Sequence, residues 1–280
     1  MRRSRSFPLI IRASVTRASV TGASAFAATA VLTVALASPA SASPADRYVA
    51  LGDSYSSGVG AGDYTDESGD CDRSPNAYSH VYANDARPAS YVSVACSGAT
   101  TSTVNSTQIS ALSASTTLVS ITVGGNDVGF ADIMTTCVLY GESDCIAAVN
   151  EAEATARSSL AGWLSGTYSR ITAAAPNARV VVLGYPVFYD LSETGCVGLS
   201  AASRAKIDEG IQLADDIIAA TAGDHGFTYG DVTGAFSGHQ ICDDSPWLHS
   251  LNFANVGVSY HPFAEGHAGG YYPVFRNLAG

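Results

Sequence analysis

The feature that most limits what this chain can fold into is a transition that recurs along it. A short apolar run stops at glycine and small polar residues. Tyr48-Val-Ala-Leu51 runs into Gly52-Asp-Ser54. The run from Tyr91 ends in Ser97-Gly98, within a strand expected over Tyr91–Thr101. The run from Thr116 ends in Gly124-Gly-Asn126-Asp127, and Ala178–Pro186 is a fourth apolar run. Such runs, partly β-branched and bounded by glycine, read as strands. The fourth is continuously apolar, which suits a parallel strand covered on both faces. A short fifth strand is expected within Phe227–Phe236. Between strands, residues 146–175 carry helical spacing, and Ser203–Ala222 places Ile207, Ile211, Ala214, Ile217 and Ile218 on one helical face. This alternation predicts an α/β fold, a three-layer α/β/α sandwich around a mainly parallel five-stranded sheet. Segments 58–90, 127–145 and 186–200 are expected as loops at the sheet's carboxyl edge. Pro262 is expected to open a final helix.

The first 42 residues read differently from the rest. Arg2, Arg3, Arg5, Arg12 and Arg17 precede a small apolar run, Ala23–Ala37, and a small-x-small site, Ala40-Ser-Ala42. This is the pattern of a secretory signal peptide. Residues 43–280 are expected as one secreted, extracellular domain. The apolar run is too short and alanine-rich for a membrane span. Cleavage would remove five arginines and move the net charge from −11 to −16, with Lys206 the sole lysine. Such a surface is self-repelling and argues against nucleic acid, stable membrane insertion and anionic bilayers as partners. A monomer is expected. All six cysteines follow residue 42, and an even number in an exported chain implies three disulfides with fifteen possible pairings. Pairing of neighbours in order is expected: Cys71–Cys96, Cys137–Cys145 and Cys196–Cys242. No C-x-x-C occurs, so no metal and no cofactor are expected.

A lone Gly-Asp-Ser is ordinary loop chemistry. Three strand ends carrying small hydrogen-bonding residues carry more weight, because the carboxyl ends of parallel strands share one edge, where ligands bind. Acyl transfer needs a nucleophile, a base within reach and donors for the developing oxyanion. Ser54 offers the alcohol, and His261, in Ser259-Tyr-His-Pro262, offers an imidazole that titrates near working pH. The N–H groups of Ser54 and Gly98 and the Asn126 amide offer the donors.

These four segments resemble the four blocks of the SGNH hydrolases, the GDSL family of lipases and esterases. Gly52-Asp-Ser-Tyr-Ser56 resembles the nucleophile block, Ala95–Thr101 the glycine block, Gly124–Asp127 the asparagine block and Ser259–Pro262 the histidine block. Their order and spacing match across nearly the whole chain after the leader. The resemblance implies Ser54 as nucleophile, His261 as general base, and Ser54, Gly98 and Asn126 as the oxyanion hole. With six cysteines and an export signal, the chain looks most like the secreted actinobacterial lipase/esterase branch, whose members are similar in having three disulfides. The implied activity is hydrolysis of fatty acyl esters. Phospholipase A and a carbohydrate (acetylxylan-type) esterase are the neighbouring readings, and a non-catalytic binding protein is the reading from another class.

One departure matters. Many family members carry aspartate three residues before the histidine; here that residue is Val258, and the nearest upstream acid is Asp244. A backbone carbonyl at Ser259 or Val258 is expected to orient the imidazole, giving a Ser–His dyad. Asp53 and Asp127 are expected to hold turn backbone, and His267 to be surface structure. Gly184–Cys196 reads equally as an acyl-binding wall or as core cover. The G-x-S-x-G elbow of α/β-hydrolases is absent around Ser54.

Overall fold

A computed structural model describes residues 45–193 and 195–280. The signal peptide expected over 1–42 lies outside them. Five strands, β1 (Arg47–Gly52), β2 (Ser90–Ser93), β3 (Leu118–Thr122), β4 (Arg179–Leu183) and β5 (Thr228–Gly230), form one sheet in the order β2-β1-β3-β4-β5. Every neighbouring pair is parallel. Residues β1 from Tyr48, all of β3, and β4 from Val180 are buried without alternation. That explains their unbroken apolar sequence: helices cover both faces of the sheet.

The helices are α1 (Ser54–Ser57), α2 (Tyr78–Ala86), α3 (Thr101–Thr103), α4 (Phe130–Tyr140), α5 (Glu142–Thr155), α6 (Ala161–Ala174), α7 (Ala201–Asp224) and α8 (Tyr272–Ala279). α2 and α8 pack on one another, and Tyr48 of β1 meets Tyr82 and Phe275 from them. α5, α6 and α7 pack together as the other layer. The expected three-layer sandwich is what the chain forms. Side chains mark several helix starts. Asp53, Thr100 and Ser200 accept from backbone N–H groups at the first turns of α1, α3 and α7.

Four expectations about loops and ends change. Segment 58–90 contains α2, whose buried Tyr78 and Tyr82 stand at i and i+4 without a broad apolar stripe. Segment 127–145 contains α4 and the start of α5; Phe130, Ile133, Met134 and Cys137 carry the helical spacing. β2, β3 and β4 are also shorter than the runs that predict them. β2 stops at Ser93, although Val94 and Cys96 still donate to Ala50 and Gly52 carbonyls of β1. The helix expected over 146–175 begins at Glu142 and passes through a π turn at Ala156–Leu160 before α6.

Cys71–Cys96, Cys137–Cys145 and Cys196–Cys242 are bonded. Cys71–Cys96 and Cys196–Cys242 tie irregular stretches, whereas Cys137–Cys145 is buried in the core and joins α4 to α5 across Gly141.

Candidate active site

The strand order reverses between β1 and β3, because the chain crosses over β1 on its way from β2 to β3. At such a switch point the connections diverge to opposite faces and leave a crevice at the carboxyl edge. β1 delivers Ser54 there and β3 delivers Asn126.

Gly52 makes the turn after β1. Its φ is +122°, and a Cβ would lie 2.9 Å from the Thr122 nitrogen and 2.7 Å from the Ser56 hydroxyl. Only glycine fits such an approach. Gln108 closes the other side: its amide accepts from Gly52 N–H (2.7 Å) and donates to Gly52 O (2.8 Å), imitating a neighbouring strand. The turn aims Ser54 at the crevice as the first residue of α1. The Ser54 N–H, at a helix start, has no intrahelical acceptor.

His261 meets Ser54 from a distant part of the chain. Its Nε2 lies 2.8 Å from Ser54 Oγ, and its Nδ1 lies 3.0 Å from the Ser259 carbonyl oxygen. A carbonyl can only accept, so Nδ1 carries the proton and the Nε2 lone pair faces the serine hydroxyl. Burial holds the imidazole down at about 4; the Ser259 hydrogen bond opposes this and nearby His249 adds to it. The ring is therefore neutral at neutral pH. The nearest upstream acids are occupied elsewhere or stand off: Asp243 accepts from the Gln240 N–H, and neither Asp243 nor Asp244 hydrogen-bonds His261.

Tyr55 fixes the histidine segment. Its hydroxyl donates to the Tyr260 carbonyl at 2.5 Å, and its ring lies 5.1 Å from the imidazole. Tyr260 itself has φ +66°, a left-handed conformation that is rare for an aromatic residue. Its N–H donates to His249 O, and the His249 N–H donates to His261 O.

Asp53 holds the turn backbone through Tyr55 N–H (3.1 Å), as expected, and also accepts from the Thr122 and Tyr185 hydroxyls. Burial pushes its carboxyl up to about 6 against those hydrogen bonds. The Tyr185 hydroxyl in turn accepts from Gly125 N–H at 3.2 Å. One phenol thus ties the nucleophile turn to the asparagine turn. Asn126 donates to Ala99 O at 3.1 Å, and Asp127 accepts from the Thr101 N–H and hydroxyl. These bonds draw the glycine block toward the asparagine block. Gly98 has φ +74° with open space beside it, and its N–H takes no backbone acceptor among the described residues.

Ser54 and Asn126 both line an apolar slot that runs inward between α4, α5 and α7, past Phe130, Ile133, Val149, Phe188 and Ile207. Tyr185 and Phe188 serve both as slot wall and as buried core, so the two readings of Gly184–Cys196 hold together. The expectation for His267 fails. It is fully buried, 0 % exposed, stacked near Tyr78, and accepts from the Tyr78 N–H. Burial, then His261, drives its pKa down to about 3. The helix starting after Pro262 turns it inward.

Residues 50–268 match the GDSL-like lipase/acylhydrolase family. The chain belongs to that family. The GDSL hydrolase is 53 % identical over 234 residues to Lipase 1 of Streptomyces coelicolor, covering 84 % of this chain and 87 % of that one. Among solved structures it is similar to a phospholipase A1 from Streptomyces albidoflavus (TM-score 0.82, 53 % identity, 84 % of this chain and 100 % of that chain). It is similar also to an extracellular lipase from Streptomyces rimosus (TM-score 0.82, 48 % identity, with the same coverage). This GDSL protein is a carboxylic ester hydrolase. Tyr55 stands inside the Gly52–Ser56 block, but nothing there marks its hydroxyl as a hold on Tyr260; Gln108 carries no motif signal, and only the aromatic character of Gly184–Cys196 hints at Tyr185.

Proposed function

We propose that the protein is an exported, monomeric lipase or esterase that works through an acyl-serine intermediate with a Ser54–His261 dyad. The observation that carries this reading is the continuous line from the Ser259 carbonyl through the imidazole to Ser54 Oγ, at 3.0 and 2.8 Å. Ser54 Oγ attacks the ester carbonyl carbon as Nε2 takes its proton. The carbonyl oxygen becomes an oxyanion facing the N–H groups of Ser54, Gly98 and Asn126. As the tetrahedral species collapses, Nε2 returns the proton to the leaving alcohol. Water then repeats the sequence on the acyl-serine and releases the acid. The Ser259 carbonyl fixes the tautomer, the orienting half of a triad acid's task. The apolar slot supports a fatty acyl chain as the acid portion. The names of the relatives support glyceride or phospholipid esters. Residues 1–42 act as a signal peptide, consistent with three disulfides and with an extracellular relative.

The test is hydrolysis of a p-nitrophenyl ester series by the enzyme and by Ser54→Ala and His261→Ala. Both variants are expected to lose at least a thousandfold in kcat while folding normally. Activity confined to the acetyl ester would favour the carbohydrate esterase. Failure of a fluorophosphonate to label Ser54 would favour a binding protein.

A further inference from the structure

We propose that the carboxyl edge carries a rigid apolar face that docks the enzyme on an uncharged or zwitterionic lipid surface beside its active site. The proposal rests on the ester-hydrolase reading of Ser54 and adds the surface on which that site works.

Eight large apolar side chains are exposed among the described residues. Six of them, Leu139, Tyr140, Leu191, Val197, Phe253 and Val256, belong to three segments, 130–145, 186–200 and 237–261. These segments follow β3, β4 and β5, so all leave the sheet at the edge that bears Ser54. Val197 and Phe253 are 94 % and 80 % exposed, beyond what a single stray apolar residue needs explained. They lie together: both line one depression, with Leu199, Leu251 and Tyr260. Tyr260 joins this depression to the catalytic centre. It precedes His261 and stacks on Phe188, a wall of the apolar slot, at 5.6 Å. A stacked pair of rings, Tyr260 on Phe188, therefore stands between the face and the slot.

The exposure is built in. Cys137–Cys145 ties the last turn of α4, which presents Leu139 and Tyr140, to α5, and Cys196–Cys242 anchors Val197. Asn252 accepts from the N–H groups of Ala254 and Asn255, which fixes the turn that bears Phe253. A stapled helix end and two fixed loops hold these side chains out of the core.

Charge selects the occupant. The three segments contain Asp132, Glu142, Asp144, Asp190, Glu193, Asp243 and Asp244, and neither lysine nor arginine. Carboxylates of Asp190, Glu193 and Asp243 lie within 4.8 Å of one another at the rim. Such a rim repels anionic bilayers and a second copy of itself. An apolar face with that rim fits neutral or zwitterionic lipid, which meets the side chains without opposing the acids.

The test uses the purified enzyme carrying Ser54→Ala, so that lipid is not consumed, and phosphatidylcholine vesicles. Co-sedimentation is expected. Val197→Ser with Phe253→Ser should weaken it by tenfold or more. Phosphatidylglycerol in the vesicles should weaken it at low salt. With Ser54 intact, the paired variant should hydrolyse dissolved p-nitrophenyl butyrate within twofold of the parent. Phe253→Trp, a variant that keeps the ring in place, should shift its emission to the blue on vesicle addition. Unchanged partitioning of the paired variant, tighter binding to anionic vesicles, or an unshifted Phe253→Trp would overturn the proposal. So would a dimer in sedimentation velocity that the paired substitution abolishes. If Ser54→Ala still hydrolyses the dissolved ester, the reading of the site fails instead, and partitioning is unaffected.

Discussion

Replacing Tyr55 with phenylalanine removes one oxygen and little volume, yet the structure assigns it two separable effects. The Tyr55 hydroxyl meets the Tyr260 carbonyl at 2.5 Å with both residues buried. Deleting the donor leaves a buried carbonyl without its partner, which costs about 1–3 kcal/mol of stability. The second effect concerns geometry. Tyr260 is held at φ +66°, and a non-glycine residue in that region stores on the order of 1–3 kcal/mol that its surroundings must offset. The Tyr55 hydrogen bond is one of those restraints; the bond to His249 O is another. With one restraint gone, relaxation of Tyr260 rotates the peptide leading into His261. A displacement of about 1 Å at a reacting group costs about a hundredfold in rate. Tyr55→Phe is therefore expected to lower unfolding free energy in urea by about 1–3 kcal/mol. It should lower kcat on p-nitrophenyl butyrate by about ten- to a hundredfold with little change in KM. Stability lost with kcat intact would refute the positioning role. No change in either would mean that the hydrogen bond carries nothing.

Other expectations follow from the same site. His261 accepts a proton only when neutral, and burial holds it at about 4; kcat/KM should rise through about pH 4 and stay level above it, and an acidic limb near 6.5 in a pH–rate profile would contradict this. Asp243→Asn with Asp244→Asn should leave kcat within about twofold; a loss near that of His261→Ala, with folding intact, would restore an aspartate to the machinery. Cys196→Ser with Cys242→Ser opens a link spanning 46 residues, which by chain entropy removes up to about 4 kcal/mol, read by urea unfolding. A value near zero would place that loop's order in its packing instead.

The architecture, and the four segments in which the proposed site residues stand, are legible in the sequence for different reasons. Parallel strands covered on both faces must be continuously apolar, so β3 and β4 announce themselves. Ser54, Gly98, Asn126 and His261 stand in short blocks whose residue types follow from acyl-transfer chemistry. The supporting residues were hidden because their partners lie far along the chain. Gln108 meets Gly52 across 56 residues, and Tyr185 meets Asp53 across 132. Nothing local in a Ser/Thr-rich stretch marks one glutamine as a strand mimic. α2 escaped because its inward face is made of two tyrosines and a serine rather than an aliphatic stripe. His267 misled for a related reason: a histidine among glycines looks exposed, and only the packing of Tyr78 and Tyr271 around it shows otherwise.

The atom facing Nδ1 of His261 belongs to the peptide bond after Ser259. Every amino acid supplies that oxygen, so no codon change deletes it; what alanine at 259 removes is the hydroxyl that accepts from the Asn252 N–H. What heredity must preserve there is a path of the main chain rather than a side chain. Drift at 259 is limited by the contact with Asn252 and not by the carbonyl, and engineering that wishes to turn the His261 ring has to reshape the bend through Tyr260.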